Sequence, residues 1–429
     1  MKIRKDITYR VLAIGLLYIY ACFIPITSFS NKIDALAVLV MSGLLLYKGR
    51  KNLPLTIMFI FIFYVNYSVV MGEYITAGNL SVPFTEVKTT NIYGLTIRIL
   101  LMFMTIVSLF YNEYRPSTES LKFKERKNSI IYWLIMIMLM ASFFFGVERG
   151  GFDAYSVRIN PIFEYSKILF LFAFYFSGKS RYKKNLIIMF VIIFILQDVY
   201  YGGRITSMQL AIFLSLTIFI EKLSFYKISL FSIIGIIFNS LVNAYRTSFT
   251  FVDISIVSII RNLFSGYFVF DTATYAYYAS ATHVAASHSA TIENRIQSAF
   301  EFIKSIFGVS NSPMREVTSF VSREYYFNMG GGFIPTHFYF WFGWTGVILI
   351  ATILVLIINN LPKKTSSYSK LLLYTVIITA PRWYLYSPSQ LFRGALFIVS
   401  ILYIFSWLGI NITSKIRVIQ LGKKAGGID

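Results

Sequence analysis

Two glycines and an arginine form a candidate anion site at a short connection between two apolar runs. The connection reads Tyr200-Tyr201-Gly202-Gly203-Arg204. Because glycine adopts positive φ without a steric penalty, Gly202 and Gly203 permit a tight turn. Arg204 then begins the next helix, whose free backbone N–H groups favour an anion. The sequence therefore predicts an anion site here, the alternative being a plain turn with Arg204 extended to the membrane interface.

Three more arginines lie in or beside apolar runs. Arg246 follows one such run, and Arg382 and Arg393 flank the turn between the last two. A charge at membrane depth is costly and usually faces a polar cavity. We therefore predict that these side chains face a polar cavity. Extension of each side chain to the membrane interface is the alternative.

Three further charges fall inside apolar runs. Glu164 and Lys167 are three residues apart in one run, and this spacing predicts that they form an ion pair on a helix. Arg98 lies in an earlier run and has no evident partner in the sequence.

A glycine-rich segment precedes a histidine near the start of a later apolar run. Gly331 and Gly332 allow the chain to approach a neighbouring element closely. His337 is then about one turn inside the next helix, near its outer end. A histidine in this position can act as a general base near neutral pH. The alternative is a hydrogen-bonded histidine at the membrane interface.

The sequence offers no pattern for a metal ion or a cofactor. His283 and His288 are five residues apart with no neighbouring acid, which is a poor metal signature. The single cysteine, Cys22, excludes a cysteine cluster. There is no nucleotide-binding fingerprint, zinc motif or serine nucleophile elbow. We therefore expect neither a metal nor a cofactor.

The chain that positions these residues is largely apolar. Of its 429 residues, 56% are hydrophobic and 14% are charged, whereas soluble domains have about a quarter charged residues. Apolar runs of roughly 17–25 residues, long enough to cross about 30 Å of hydrocarbon as helices, fill the chain. We predict an all-α polytopic membrane protein, a single integral membrane domain over residues 1–429. Its twelve or so transmembrane helices are expected at 9–29, 33–47, 53–71, 92–111, 130–147, 161–178, 185–201, 204–220, 226–244, 334–358, 370–387 and 391–409.

Basic residues orient these helices. The lysine-rich loops fall on one side, which the positive-inside rule identifies as cytoplasmic, so both termini are predicted to be cytoplasmic. In this topology the cytoplasmic side has 18 Lys and 7 Arg, and the outer side has 3 Lys and 10 Arg. Most of the formal charge of +21 is thus a topology signal, and no nucleic acid is needed to explain it. The external arginines suit phosphate or carboxylate groups, unless they pair with the external acids.

The longest hydrophilic stretch, residues 245–333, is predicted to be a large helical external loop between helices 9 and 10. Within it, Thr291–Phe307 has an amphipathic pattern. Such a helix lies in the membrane plane or over a cavity. We expect the loop to cover a site that contains Arg204 and His337.

Two short motifs and the layout resemble one family of membrane enzymes. Gly202-Gly203-Arg204, at the start of an apolar helix, resembles the corresponding glycine–arginine element of Wzy-type O-antigen and capsule repeat-unit polymerases. The run Phe342–Gly346, with glycines three residues apart, resembles their Phe-Gly-x-x-Gly helix. The large external loop before the last three helices is similar too. In architecture the resemblance covers most of the chain.

This resemblance implies a glycosyltransferase of lipopolysaccharide and polysaccharide biosynthesis, an O-antigen polymerase at the periplasmic face of the bacterial inner membrane. It would transfer a growing glycan from undecaprenyl diphosphate to the non-reducing-end hydroxyl of a new lipid-linked repeat unit. Arginines would hold the two diphosphates, and Arg204 would stabilise the departing one. The implied diphosphate-binding residues are Arg204, Arg246, Arg382 and Arg393.

The resemblance also bears on the catalytic base. The related O-antigen ligases have a histidine shortly before a Gly-x-x-Gly, in a place similar to that of His337. Many of the polymerases have an acidic or polar residue there instead. Glu316 and Glu324 are therefore alternative bases in this chain.

Two other functions remain open. An O-antigen ligase would transfer finished glycan to lipid A core with the same chemistry. A lipid-linked sugar flippase or transporter would suit a count of twelve helices, although such proteins often have two related halves and none are evident here. The expected partners are the undecaprenyl-diphosphate-linked oligosaccharide and the lipid bilayer, with a chain-length regulator and a flippase as candidate protein partners.

Overall fold

The computed structural model describes residues 2–71, 87, 90–117, 125–149, 157–159, 161–201, 203–248, 272–328 and 330–408. Gly202 and part of the predicted external loop, residues 249–271, lie outside these described residues. The side chain of Arg246 lies outside them as well.

Nearly all of the described chain is helical. A short antiparallel hairpin of β1 (Val147–Arg149) and β2 (Val157–Ile159) interrupts the helices between α5 and α6. The helices are α1 (Lys2–Phe23), α2 (Ser28–Gly49), α3 (Leu53–Met71), α4 (Thr90–Phe110), α5 (Ser129–Phe145), α6 (Pro161–Glu164), α7 (Ser166–Ser177), α8 (Arg181–Tyr200), α9 (Ile205–Leu214), α10 (Phe225–Ser248), α11 (Thr272–Ser289), α12 (Ile292–Ile306), α13 (Val317–Glu324), α14 (Ile334–Phe342), α15 (Trp344–Asn360), α16 (Ser367–Leu385) and α17 (Gln390–Leu408).

Several of these helices have the length and composition of membrane spans. Among the described residues, six helical segments qualify: Ser28–Gly49, Leu53–Val70, Thr90–Phe110, Ile205–Lys222, Trp344–Lys363 and Gln390–Leu408. Four shorter apolar segments are Ile7–Phe23, Ser129–Phe145, Ser166–Ser177 and Phe225–Phe238. A helix satisfies its own backbone polar groups, as the bilayer interior requires. The protein is therefore a helical membrane protein, and the count of twelve spans stays a prediction.

The central helix of the bundle is α4. Its residues from Thr96 to Ser108 are all buried, and most of them are apolar. It packs against α1, α2, α11, α14 and α15. A helix with no polar face is suited to the interior of a bundle, because it has no side that gains from water.

A buried ion pair fixes α1 and α2 to this central helix. The Nε atom of Arg98 on α4 lies 3.1 Å from the Oδ2 atom of Asp34 on α2, and both side chains are almost fully buried. Arg98 also donates to the backbone carbonyls of Ile24, at 2.6 Å, and Pro25, at 3.2 Å. Tyr20 donates its hydroxyl to Asp34 at 2.8 Å. The partner of Arg98 is therefore Asp34, supported by the carbonyls that follow α1.

The predicted span at 334–358 consists of two helices. Gly343 has a φ of 61° and separates α14 from α15. A Cβ atom at Gly346 would overlap the backbone carbonyl of Phe338, so glycine at this position allows the two helices to pack closely. The two glycines of the Phe342–Gly346 motif thus form a helix corner. The apolar run is continuous across the corner, and for that reason it predicts a single span.

Part of the predicted external loop is a helix of the bundle. α11 packs against α3, α4 and α14, and residues 276–287 are all buried. Its sequence is rich in alanine and serine, and small side chains allow helices to approach closely. α11 is therefore part of the core and not part of a cover over it.

The amphipathic helix predicted from Thr291–Phe307 is present as α12, with Thr291 as its N-cap. Its apolar side, which includes Ile296, Phe300 and Ile303, is exposed on the described structure. The opposite side, which includes Phe302, packs on the bundle. An exposed apolar side fits a helix in the membrane plane better than a helix over a cavity.

We expect Asp34→Asn to destabilise the bundle strongly. The substitution leaves the guanidinium of Arg98 buried without its counter-charge, and removing one partner of a buried pair costs about 3–5 kcal/mol. The measurement is thermal unfolding of the purified protein in nanodiscs. Glu113→Gln is the control, because Glu113 forms an ion pair with Lys51 in which both side chains are exposed, and its loss should leave the transition nearly unchanged. Equal transitions for the two variants would show that the buried pair does not support the fold.

Candidate functional site

Charged side chains gather where α16 ends and α17 begins. Two other segments lie beside them: the turn between α6 and α7, and the end of α8. The charges on all these segments act on one another. We call this set the polar cluster: Glu164, Tyr165, Lys167, Asp198, Arg382 and Arg393. It contains three basic groups and two carboxylates, so its formal charge is positive.

Arg382 is held at the end of α16 by a glutamate and a tyrosine. Its Nε atom lies 3.8 Å from the Oε1 atom of Glu164, and its guanidinium lies 5.3 Å from the centre of the Tyr386 ring. Glu164 also accepts a hydrogen bond of 2.9 Å from Gln390. The side chains of Arg382 and Glu164 are 23% and 31% exposed, so this part of the cluster is accessible from outside the bundle.

Arg393 approaches the same turn from α17. Its guanidinium lies 5.9 Å from the centre of the Tyr165 ring. Tyr165 directly follows Glu164 in the chain and is within electrostatic range of both Arg382 and Arg393. The first nine residues of α17, Gln390–Ile398, have the wider π-helical hydrogen-bonding pattern, which often accompanies functional sites. Two of the predicted arginines therefore converge on one glutamate–tyrosine pair.

The turn before Arg204 differs from the prediction in its detail. Gly203 is described and does not have positive φ. A Cβ atom there would overlap the side chain of Asp198, and the Gly203 N–H donates to the Asp198 carbonyl at 2.7 Å. Glycine is needed for close approach to Asp198 and not for an unusual backbone angle.

The N-terminus of α9 already has an acidic partner in the chain. The Oδ2 atom of Asp198 accepts the backbone N–H and the hydroxyl of Ser207, each at 2.8 Å. This carboxylate satisfies one of the N–H groups that the sequence assigned to an external anion. Arg204 is half-buried and directly precedes α9. Its guanidinium remains a candidate ligand for an anion. The residue is joined to the polar cluster by Gly203, which packs against Asp198.

Lys167 is not paired as the sequence predicted. Its side chain is 1% exposed, and its Nζ atom has no hydrogen-bond partner in the described part of the chain. Glu164 is within electrostatic range but beyond ion-pair distance, because it faces Arg382 and Gln390. The i, i+3 spacing fails here because α6 ends at Glu164 and a turn at Tyr165 separates it from α7.

Glu316 lies next to the polar cluster in the segment before α13. It accepts a hydrogen bond of 2.6 Å from the hydroxyl of Ser387, in the turn after α16. Its charge acts on Tyr165. Burial raises the pKa of the Glu316 carboxyl above its ordinary value, against the lowering effect of hydrogen bonds from Ser387 and Ser389. The residue is only partly buried, so it combines a raised pKa with access from outside.

The predicted base His337 packs edge-on against a second histidine. The ring centres of His283 on α11 and His337 on α14 are 4.6 Å apart, and both side chains are fully buried. His283 is within 3.3 Å of the hydroxyls of Thr318 and Thr336. The Nε2 atom of His337 lies 3.3 Å from the Gly332 carbonyl. This pair was missed from the sequence, since the two residues are 54 positions apart with no motif between them.

The glycine segment links the histidine pair to the end of α16. Gly331 and Gly332 have φ values of 90° and 134°, and the Gly332 N–H donates to the Leu385 carbonyl at 2.8 Å. A Cβ atom at Gly332 would overlap the ring of His283. The close approach predicted for these glycines therefore exists, and it joins His283 to the turn that follows Arg382.

The structure thus brings Arg382 and Arg393 to the same turn at Glu164 and Tyr165. Arg204 directly precedes α9, whose first turn is bonded to Asp198 of the polar cluster. His337 lies behind the glycine segment, buried beside His283. Among the described residues, no group of three or more His, Cys, Asp or Glu side chains is arranged to hold a metal ion. Comparison of the chain with protein-family models, curated proteins and solved structures finds no match.

Gly332→Ala tests whether this close approach is required. The new methyl group would overlap His283, and overpacking of this kind costs about 1–3 kcal/mol. Gly330→Ala is a matched control, because Gly330 also has positive φ, 91°, but has open space at its Cβ position. We expect the midpoint of thermal unfolding to fall further for Gly332→Ala than for Gly330→Ala. Equal midpoints would contradict the packing of the glycine segment on His283.

Proposed function

We propose that the protein is a glycosyltransferase that polymerises lipid-linked oligosaccharide repeat units at the periplasmic face of the bacterial inner membrane. It transfers the growing glycan from undecaprenyl diphosphate to the non-reducing-end hydroxyl of a new lipid-linked repeat unit. The convergence of Arg382 and Arg393 on Glu164 and Tyr165 is the observation that carries this proposal. Basic groups gathered at the ends of apolar helices suit a substrate with a diphosphate head and a lipid tail.

The proposal includes twelve spans with both termini in the cytoplasm. Contacts among the predicted outer segments support it, since Glu164, Arg382, Gln390 and Glu316 belong to the polar cluster or its immediate surroundings. The predicted inner segments also meet each other, as in the ion pair of Lys184 with Glu125 at 2.6 Å. Outer ends contact outer ends and inner ends contact inner ends, as this topology requires.

In this reaction the arginines bind the leaving group. As the glycan is transferred, negative charge builds up on the departing undecaprenyl diphosphate, and a fixed guanidinium stabilises that charge more than it stabilises the bound substrate. Arg382 and Arg393 are already oriented by Glu164, Tyr165 and Tyr386, so little reorganisation is needed. The donor carries an activated bond, and the transfer therefore needs no nucleotide.

The acceptor hydroxyl must lose a proton, and Glu316 is better situated for this role than His337. Glu316 is partly exposed and adjoins the polar cluster, whereas His337 is fully buried against His283. The serine hydroxyl of Ser387 orients the Glu316 carboxylate. Glu324, the other acid named from the sequence, is exposed at the end of α13.

The direct test is elongation by the purified protein in nanodiscs, supplied with lipid-linked single repeats. A polymerase yields a ladder of lengthened lipid-linked glycans. Transport of the repeats without lengthening would instead identify a flippase and would overturn the proposal. In cells, loss of the gene leaves single-repeat lipopolysaccharide if the protein is a polymerase, and no attached glycan if it is a ligase.

Substitution of the arginines tests their role in holding diphosphate. We expect Arg204→Ala to abolish elongation, and Arg382→Ala and Arg393→Ala to lower the rate about 10- to 100-fold, since a charged hydrogen bond contributes roughly 1.5–3 kcal/mol. Lysine at position 204 should restore only part of the rate, because the planar fork is lost. The matched control is Arg323→Ala, because Arg323 is exposed on α13 outside the cluster. Full elongation by the Arg382 and Arg393 variants would remove the basis of the proposal.

The pH dependence of elongation distinguishes the two bases. A carboxylate acts as a base only when ionised, so the rate should fall as pH decreases through the raised pKa of Glu316. We expect Glu316→Gln to lower the rate about 10²- to 10⁴-fold. We expect His337→Gln to keep the same fall in rate at low pH as the wild-type protein. Normalising rates to the amount of folded protein separates catalysis from stability. Loss of activity in folded His337→Gln, with Glu316→Gln active, would assign the base to His337.

A further inference from the structure

Lys167 is a buried cation whose partners are engaged elsewhere. Its Nζ atom makes no hydrogen bond within the described residues, and its side chain is almost completely shielded. Two carboxylates, Glu164 and Asp198, are within electrostatic range. Glu164 faces Arg382, and Asp198 accepts two hydrogen bonds from Ser207. Neither carboxylate is close enough to form an ion pair with Lys167.

A charge in this state is expensive. An ammonium group loses its hydration when it enters a helix bundle, and without a bonded counter-charge the loss is not recovered. Buried lysines in membrane helices therefore face a partner, a polar cavity or a ligand. The described residues supply no bonded partner for Nζ, which leaves this group available to a ligand.

Buried polar atoms on α7 and on two helices that contact it are also without hydrogen-bond partners in the described structure. They are the hydroxyl of Ser166 on α7, the side-chain amide of Gln209 on α9 and the Nε–H of Arg382 on α16. α7, α9 and α16 contact one another. Lysine, arginine and the amide nitrogen are donors, and the serine hydroxyl can donate as well. Unsatisfied donors on three contacting helices suit a group with many acceptor oxygens and negative charge.

We propose that Lys167 binds a phosphoryl oxygen of a diphosphate group, together with Arg382, on the inner side of the polar cluster. Its compact ammonium would act as a point charge, while the guanidinium of Arg382 contacts the same group from the end of α16. The identification of the group as the substrate diphosphate rests on the proposed function. The binding of a phosphate-bearing anion at Lys167 does not.

The test compares two buried lysines on neighbouring helices. Lys167→Met removes the charge and keeps the length of the side chain, and Lys167→Arg keeps the charge. Lys183→Met is the matched control, because Lys183 on α8 is also largely buried but has partners in the chain: the Ser129 hydroxyl at 2.9 Å and the Tyr132 ring at 4.7 Å. Each full-length variant is placed in phosphatidylcholine nanodiscs, and its unfolding temperature is measured with and without ligand.

Two ligands separate the possible sources of the diphosphate group. One set of samples receives inorganic pyrophosphate, and the other has a polyprenyl diphosphate included in the bilayer. A ligand that binds only the folded protein raises the unfolding temperature as its concentration increases. A shift with both ligands indicates a site for the diphosphate group itself, whereas a shift with the lipid alone indicates a site for a membrane-borne diphosphate.

We expect the wild-type protein to be stabilised by at least one of the two ligands. Lys167→Met should bind that ligand at least tenfold more weakly, with no loss of stability in its absence, because the substitution removes an uncompensated charge. Lys167→Arg should retain part of the shift. Lys183→Met should unfold at a lower temperature and keep the full shift, since its lysine serves the fold alone.

Other outcomes overturn the assignment. A wild-type ligand shift that persists undiminished in Lys167→Met, or the absence of any shift in the wild-type protein, would show that Lys167 does not bind a diphosphate. A ligand-free loss of stability in Lys167→Met equal to that of Lys183→Met, with the ligand shift retained, would assign Lys167 a structural role. If the ligand shift depends on Lys167 but the wild-type protein elongates nothing, the site stands and the proposed polymerase does not.

Discussion

A charge buried among apolar helices has to be compensated, and much of this structure follows from how that requirement is met. Arg98 meets it within the chain, through Asp34 and the carbonyls at 24 and 25. Because these partners belong to different segments, the interaction fixes three helices to one another. The central helix α4 can then be mostly apolar along the rest of its length and pack on five neighbours.

The polar cluster meets the same requirement only in part. Glu164 is shared between Arg382 and Gln390, and Asp198 is committed to the start of α9. Lys167 is left without a hydrogen bond in the described residues. A buried ammonium without a bonded counter-charge costs several kilocalories per mole, and this cost falls if the group loses its proton or binds an anion. Arg98 is thus a charge compensated within the fold, whereas the polar cluster is the network to which we assign a ligand in our proposal.

Sequence patterns predicted the helical segments well because the bilayer imposes length and apolarity on each of them locally. They failed where a feature depends on contacts between distant segments. The corner at Gly343 is hidden by a continuous apolar run, and the pairing of His283 with His337 depends on how α11 enters the bundle. The rule for i, i+3 pairs also failed, because a turn at Tyr165 separates two helices that appear continuous in the sequence.

The candidate site shows the same division between local and distant information. Arg382 and Arg393 were identified because a charged side chain at membrane depth is energetically costly. This cost can be recognised at each position without knowing what the residue contacts. Their common partners, Glu164 and Tyr165, lie more than 200 residues earlier in the chain and carry no signal of that role. The function of Gly203 was likewise assigned to a backbone angle, although the structure shows that the limiting factor is the space beside Asp198.

The position of Arg98 in the chain has a consequence for how the protein is assembled during translation. Asp34 and the segment after α1 emerge from the ribosome some 60 residues before Arg98 does. Until α4 arrives, Asp34 has the Tyr20 hydroxyl but no counter-charge, and the carbonyls at 24 and 25 lack the guanidinium that binds them. We therefore expect the first two helices to remain at the insertion machinery, or at the bilayer surface, until α4 joins them. We also expect α1 and α2 to reach their final packing only when α4 is in place.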